Sequence, residues 1–600
     1  MDNMERGESS KQGSLRNGNA FSEEEQATNG SYTIAPRKSK RLKVAAVSES
    51  PPVSTRLRPR TRKGLAMPPS TLKLSKYGEG SMRKNNGKDI QDKESLAILC
   101  PGGSNTWDRA RHKVKETQRI FHVACRKVLR EKEARLTIKK DSKFRVDYKA
   151  SKILKSKGQC LNTSDPVVGH VPGVQVGDEF IYRTELNILG IHRPSQGGID
   201  SVKMNGKLVA TSVVSSGSYD DKHDNSDVLT YTGQGGNVLK GTKKGQRDLE
   251  PKDQQLVRGN LALANSKVNK NPVRVIRGRK KTASSGDANN YVYDGLYLVE
   301  EFWSETGPHG KLVYQFRLRR IPGQPELSWK VVLKQSKLRD ASYNVDLAEG
   351  EENFPIYAVN EIDDEKPPSF IYTAKMIYPD WCKPIPPKGC SCTKRCSESR
   401  NCSCVAKNGG ELPYNHDGAI VIPKPMVYEC GPLCKCPSSC YLRVTQRGIK
   451  FQLEIFKTES RGWGVRSINF ISSGSFICEY VGELLEDKEA ERRTGEDEYL
   501  FDIDKVDETS GFAIDAARKG NIGRFLNHSC SPNLYAQEVL YDHEDKRIPH
   551  IMFFAADNIP PLEELTYHYN YKIDQVCDSN GNIKMKNCYC GSSECTGRLY

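Results

Sequence analysis

Cys390-Ser391-Cys392-Thr393-Lys394-Arg395-Cys396-Ser397-Glu398-Ser399-Arg400-Asn401-Cys402-Ser403-Cys404 places five thiols in one short run, and Cys430-Gly431-Pro432-Leu433-Cys434-Lys435-Cys436-Pro437-Ser438-Ser439-Cys440 adds four after a 25-residue insertion. Disulfides do not suit this crowding, because C-x-C neighbours are geometrically poor partners for one another. Zinc does: it takes four tetrahedral thiolates, and these nine cysteines serve three ions if three of them bridge, without help from histidine. A second group, Cys588, Cys590 and Cys595, supplies only three ligands, and Cys530 is the candidate fourth. A metal there would fold the tail onto the Asn527 to Cys530 stretch and enclose what lies between. Cys382, Cys478 and Cys577 are read as core or surface thiols.

Working outward, 600 residues exceed one core, and a prior of about 150 per domain gives roughly four units. Only 36% of residues are hydrophobic, 28% are charged and the net charge is +17, so a polyanion is the natural partner. The stretch MDNMERGESSKQGS has no apolar core and does not read as a signal peptide, which favours reduced thiols and metal sites among the 19 cysteines. No run of about 18 apolar residues suggests a membrane span. A soluble, intracellular protein is expected.

Residues 1–105 are poor in large apolar side chains, and ordering them would cost more entropy than burial returns. They read as a disordered basic arm. Between Ser31 and Lys63 ten Lys/Arg face the single acid Glu49, clustered as Pro36–Lys43 and Arg56–Lys63, a pattern of nuclear localisation or nonspecific nucleic-acid contact. Over 106–160, Val114, Phe121, Ala124, Cys125, Val128 and Leu129 recur at i, i+3, i+4 spacing and predict an amphipathic helix that packs against a neighbouring domain. The stretch 165–320 has the β-branched, aromatic and Gly/Asp/Asn composition of short strands and turns. After 450, runs such as Ser475–Tyr480 and Ile551–Phe554 read as strands, with no long helical series.

Between the two cysteine groups stand Gly462-Trp463-Gly464, Glu479-Tyr480-Val481-Gly482-Glu483, Tyr499-Leu500-Phe501-Asp502, Arg524-Phe525-Leu526-Asn527-His528-Ser529-Cys530 and Glu564-Leu565-Thr566-Tyr567-His568-Tyr569. In this order, flanked by cysteine modules, they resemble the SET methyltransferases. The nine-cysteine array is similar to a pre-SET domain, and Cys588 to Cys595 to a post-SET. The resemblance implies methyl transfer from S-adenosylmethionine to a neutral lysine amine in a channel walled by Tyr480, Phe501, Tyr567 and Tyr569. Tyr569 would be the catalytic tyrosine, and Tyr480 would orient the amine. Cofactor contacts would fall to Arg461, Gly462, Trp463, Gly464, Tyr499, Arg524, Asn527 and His528. Tyr567 stands where trimethylating relatives tend to carry Phe, which implies mono- and dimethylation. His568 departs from the usual Asp, so its hydrogen bonding differs from the family pattern.

Val168-Gly169-His170-Val171-Pro172-Gly173-Val174, Val176-Gly177-Asp178, Gly190-Ile191-His192-Arg193-Pro194, Thr230-Tyr231-Thr232-Gly233-Gln234-Gly235-Gly236 and Tyr293-Asp294-Gly295 resemble the SRA (YDG) domain. Such domains read methylated cytosine by flipping it from the duplex. Tyr219 and Tyr231 would be the pocket walls, Asp221 or Asp220 would accept from the cytosine amino group, and Gln196 would fill the vacated stack. Lys240 to Arg247 would meet phosphates. Ser218, Lys222 and His223 depart from the usual pattern.

The expected fold is therefore mainly β and multidomain: a basic arm (1–105), a helical segment (106–160), a barrel-like SRA domain (165–320), a pre-SET zinc domain (375–445), a SET domain (446–575) and a post-SET (584–600). Together these resemble the plant SUVH family. The resemblance implies a nuclear, chromatin-bound enzyme methylating lysine 9 of histone H3, carrying three zinc ions in the pre-SET and one in the post-SET, and recruited by 5-methylcytosine in DNA. The alternative is a catalytically inactive methyl-DNA reader or scaffold.

Overall fold

The computed structural model describes residues 104–135, 144–162, 166–215, 222–225, 227–236, 250–279, 290–307, 310–326, 330–331, 345–397, 401–493, 499–503, 511–574, 576 and 582–600. Residues 1–103, which hold all but the last two residues of the expected arm, lie outside the described residues, as do Ser218 to Asp221, Lys240 to Arg247 and Cys577, and the arm's last two residues belong to a helix.

Helix α1 (Ser104–Arg135) is the periodic segment, and Val114, Phe121, Cys125 and Val128 are all buried along it. Its apolar stripe faces two partners in turn. Val114 joins a cluster with Val171, Val174, Phe180, Leu186 and Ile191, while Phe121 and Cys125 pack with Ala150 and Leu154 of α2 (Val146–Ser156) and Ile188 of α3 (Arg183–Ile188). Gly173, with φ +81°, is forced by this docking: a Cβ there would lie 2.3 Å from the Ala110 carbonyl oxygen.

The middle region is one curved sheet. Strands β2 (Ile199–Met204), β3 (Lys207–Ser215), β6 (Val273–Arg279), β7 (Asn290–Thr306), β8 (Leu312–Arg320), β5 (Val228–Thr232) and β4 (Lys222–Asn225) lie in that order, and β1 (Glu179–Phe180) pairs with β7. The pairing of β3 with β6 is parallel, and α4 (Arg258–Asn269) lies on the sheet in the crossover. Two helices, α3 and α4, therefore stand in a stretch that reads as strands and turns. The α4 pattern hides itself because Asn260 and Ser266 are buried, each satisfied by backbone: Gln234 N donates to Asn260 Oδ1 and Ala210 N to Ser266 Oγ, both at 2.9 Å.

The C-terminal half is built from small sheets. The first joins β9 (Tyr357–Val359), β12 (Leu453–Lys457), β13 (Trp463–Ser467), β22 (Glu564–Tyr567) and β19 (Asn527–His528). A second joins β14 (Phe476–Glu479), β21 (His550–Ala555), β20 (Leu534–Leu540) and β11 (Val427–Tyr428). A third holds β15 (Glu483–Glu486), β17 (Phe512–Asp515) and β16 (Leu500–Ile503), and β10 (Ile371–Tyr372) pairs with β18 (Lys519–Gly520). Short helices cover Ser403–Lys407 and Asp487–Arg492. Both strand-like runs read after 450 are strands.

Helix α1 ties these halves together. Arg111 makes a two-pronged bond to Asp178 (2.6 and 2.8 Å), and eight residues on, Arg119 makes another to Asp557 (2.6 and 2.9 Å). Burial by itself would raise both carboxyls; the guanidinium beside each holds it below its ordinary range. His122 Nε2 lies 3.0 Å from Glu185 and 3.3 Å from Asn558, one residue from each half. Arg126 donates to the Val421 and Ser473 carbonyls, and Arg130 to Glu411. Removing the arginine from the buried Asp178 or Asp557 would cost about 3–5 kcal/mol, because it leaves the carboxylate buried and unpaired.

Candidate functional site

The C-terminal site begins at an aromatic box inside the core. Tyr480 follows β14, Phe501 sits on β16, Phe553 on β21 and Tyr567 ends β22, so four separate strand segments deliver one ring each. Ring centroids lie 5.1 Å apart for Tyr480 and Phe501, 6.1 Å for Phe501 and Tyr567, 4.6 Å for Phe553 and Tyr567, and 4.7 Å for Tyr567 and Tyr569. Tyr571 and Tyr600 extend the series, at 6.0 Å from Tyr569 and 5.1 Å from Tyr571. All four residues expected as channel walls are therefore together. Phe553, Tyr571 and Tyr600 join them unannounced: Phe553 is one more strand residue, Tyr571 follows the quoted motif by two positions, and Tyr600 is a tyrosine of the tail.

Hydroxyls in the box are oriented by backbone. Tyr480 Oη donates to the Tyr499 carbonyl at 2.6 Å, and Tyr569 Oη to the Leu526 carbonyl at 2.8 Å. Burial, reinforced by neighbouring phenols, pushes Tyr567 and Tyr480 well above the ordinary tyrosine range, so both stay neutral.

Beside the box, Arg461, Trp463, Asn527, His528 and Glu564 converge. Glu564 accepts from Asn527 Nδ2 at 2.9 Å and from Arg461, and Asn527 Nδ2 also donates to the Trp463 carbonyl. Arg461 Nη1 reaches the His528 carbonyl at 3.2 Å. Trp463 Nε1 is buried with no acceptor among the described residues, a donor that suits a bound polar ligand. Gly462 takes φ +66° and its carbonyl accepts from Thr458 N, the turn that brings Trp463 and Gly464 into β13. Tyr499 and Arg524 meet on another side: the guanidinium lies 3.9 Å from the Tyr499 ring and 4.4 Å from that of Phe370, and it donates to the Ala516 and Ala517 carbonyls. The Arg524 side chain thus serves to lock Tyr499 and this backbone.

His528 links box and tail. Its Nδ1 accepts the Tyr569 N–H at 3.1 Å, so the proton sits on Nε2, which lies 3.4 Å from Cys530 Sγ. Burial, with His568 and Arg461 nearby, pushes its pKa down to about 3, and the ring is neutral. The His568 ring stands 4.8 Å away, and its Nδ1 accepts from Asn570 N.

The thiols gather as four-cysteine groups. Cys530, Cys588, Cys590 and Cys595 bring their sulfurs within 4.8 Å of one another. Three further groups are Cys390/Cys396/Cys430/Cys436, Cys390/Cys404/Cys430/Cys434 and Cys390/Cys392/Cys396/Cys402. Cys440, the ninth, takes the Cys396 N–H on its Sγ at 3.3 Å. Cys390, Cys396 and Cys430 recur between groups, which fits bridging thiolates around three zinc ions and a fourth ion at the tail.

In the middle region Tyr231 is buried on β5, and its hydroxyl lies where a side chain at residue 198 would be: a Cβ on Gly198 would come within 2.3 Å of it. Gln196, two residues before Gly198, is exposed. Tyr219, Asp220 and Asp221, between β3 and β4, lie outside the described residues.

Family models match three stretches: a SAD/SRA domain at residues 167–324, a Pre-SET motif at 348–443 and a SET domain at 462–570. The chain is 66% identical over 556 residues to the H3 lysine-9 specific histone-lysine N-methyltransferase SUVH5 of Arabidopsis thaliana, covering 90% of this chain and 69% of that protein. The crystal structure of Arabidopsis thaliana SUVH6 in complex with SAM superposes with a TM-score of 0.75 at 61% identity, covering 82% of this chain and 100% of that one. The structure of KRYPTONITE in complex with mCHH DNA, an H3(1-15) peptide and SAH gives 0.69 at 37% identity, over 82% and 100%.

Proposed function

Because this chain belongs to the SUVH family of histone-lysine N-methyltransferases, we propose that it methylates lysine 9 of histone H3 and that its middle region, by reading methylated cytosine, holds it on the nucleosomes it modifies. The observation that carries this reading is the aromatic box of Tyr480, Phe501, Tyr567 and Tyr569, joined through His528 to a four-cysteine group. S-adenosylmethionine, when bound, supplies the methyl group on a sulfonium. The chain supplies the dry passage. Aromatic faces tolerate the lysine ammonium while stripping its water, which eases loss of the proton that the amine must shed before it attacks. Tyr480, its own proton committed to the Tyr499 carbonyl, keeps oxygen lone pairs for an amine N–H. Tyr569, fixed at its hydroxyl by Leu526 and at its backbone by His528, is oriented toward the transfer. Asn527, Arg461 and Glu564, with the unpaired Trp463 Nε1, would hold the cofactor.

A water held by the hydroxyl of Tyr567 would crowd a dimethylated amine, which supports mono- and dimethylation as the outcome. A scaffold whose SET fold is inactive is not favoured, since every box residue and all four tail thiols stand together. The basic clusters within Ser31–Lys63 support a nuclear address. The test is full-length protein with labelled cofactor on recombinant nucleosomes. Label is expected on H3, lost when its lysine 9 is replaced by arginine, and acquired faster when the DNA is methylated. No label, or label unaffected by that replacement, overturns the reading.

A further inference from the structure

Helix α2 separates its two faces cleanly. Asp147, Ala150, Ser151 and Leu154 are buried, whereas Tyr148, Lys149, Lys152 and Lys155 are exposed. At about 100° per residue, Tyr148 and the three lysines fall within an arc of about 120°. The helix has a single acid, Asp147, which points inward and is engaged by Arg145 at 2.6 Å and by Thr184 Oγ1 at 2.5 Å. Among the described residues no carboxylate lies within ion-pair distance of these lysines, and aromatic rings hold two of them instead. Lys149 Nζ sits 3.9 Å from the Phe144 ring and Lys152 Nζ 4.8 Å from that of Tyr148, itself 52% exposed.

The position of this stripe names its partner. Through Thr184 and Ile188, α2 rests on α3, and Arg183 of α3 donates to the Gly197 carbonyl, the residue next to Gln196. The stripe is therefore the outward face of a helix whose inward face rests on the element that supports the loop expected to enter the duplex. We propose that α2 is a second DNA-contacting surface, which grips the phosphate backbone of duplex flanking the modified base. Its roughly 15 Å length matches about four phosphates of one strand. The partner is read through charge, so this grip adds affinity without sequence preference. It rests on the proposal that the middle region binds methylated DNA.

The test uses the full chain and compares a short methylated duplex, ending near the modified base, with a long one. Replacing Lys149, Lys152 and Lys155 together by Gln should lower the dependence of log affinity on log salt by about 2.7 on the long duplex, at about 0.9 per lost contact, and leave the short duplex unchanged. The corresponding Lys→Arg triple should restore the slope, and the exposed positions should leave the melting temperature unaltered. Equal slopes for wild type and the Gln triple on the long duplex overturn the proposal, whether the stripe serves a histone surface or only solvent. Preference of the wild type for the methylated short duplex reports separately on the middle region, so the two failures are distinguishable.

Discussion

The two ends of this molecule's work are built on opposite plans. In the C-terminal half the residues proposed to do the work are part of the core: Tyr480, Phe501, Phe553 and Tyr567 belong to the same buried cluster as Ile477, Ile514 and Leu565. In the middle region the core is closed by Val213, Leu229, Val275, Phe316 and Leu318, and of the two described residues expected to grip a base Tyr231 belongs to it and Gln196 does not. Gln196 is exposed, and Tyr219 and Asp221 fall outside the described residues. A site made of core ties activity to stability; a site hung beside a core can change without disturbing the fold. Different consequences of substitution follow.

The largest effect is expected at Phe553, which no sequence motif marks. Phe553→Ala should lower unfolding free energy by about 3–5 kcal/mol, measured by denaturant titration, and reduce methyl transfer together with it. Stability lost with transfer intact would break the identity of core and site. Tyr569→Phe separates the two: kcat should fall by about 100-fold, while cofactor affinity by calorimetry stays within about threefold. Asp221→Ala should cost about tenfold in preference for methylated duplex by fluorescence anisotropy, with melting unchanged. If the melting temperature drops, the middle region is no freer than the SET half. Tyr567→Phe should shift product toward trimethyllysine by mass spectrometry, and an unaltered ratio would remove its hydroxyl from the mechanism.

The smallest effect concerns His550, buried on β21 with Glu479 at 2.6 Å and Asp542 at 2.8 Å. Burial alone would lower its pKa, but Glu479 and then Asp542 raise it from 6.5 to about 10. The stability it contributes is therefore complete below about pH 6.5 and lost as pH rises through about 10. The melting temperature should decline across that window, and His550→Gln should flatten the decline.

What the sequence reveals follows from how each feature is encoded. Cysteines reveal themselves because zinc has a fixed appetite: three thiols at the tail demand a fourth, and Cys530 stands with them. Helix α1 is legible because its buried residues repeat with the helix period. Helix α4 is not, since its buried face carries Asn260 and Ser266, whose partners on Gln234 and Ala210 are distant in sequence. The bond from Arg119 to Asp557 also joins residues whose pairing no local pattern announces. The resemblance could assign Arg524 to a ligand, but only its neighbours reveal the carbonyls and rings that engage it.

The spacing of Arg111 and Arg119 on α1 has a mechanical meaning. One residue inserted between them would advance every later contact by about 1.5 Å and turn it by about 100°. Arg119 would then swing away from Asp557 while Arg111 still gripped Asp178. The helix behaves as a keyed shaft whose phase sets the orientation of the reading head toward the writing head. Its length is consequently a setting of the machine, although neither a base nor a lysine is expected to touch it.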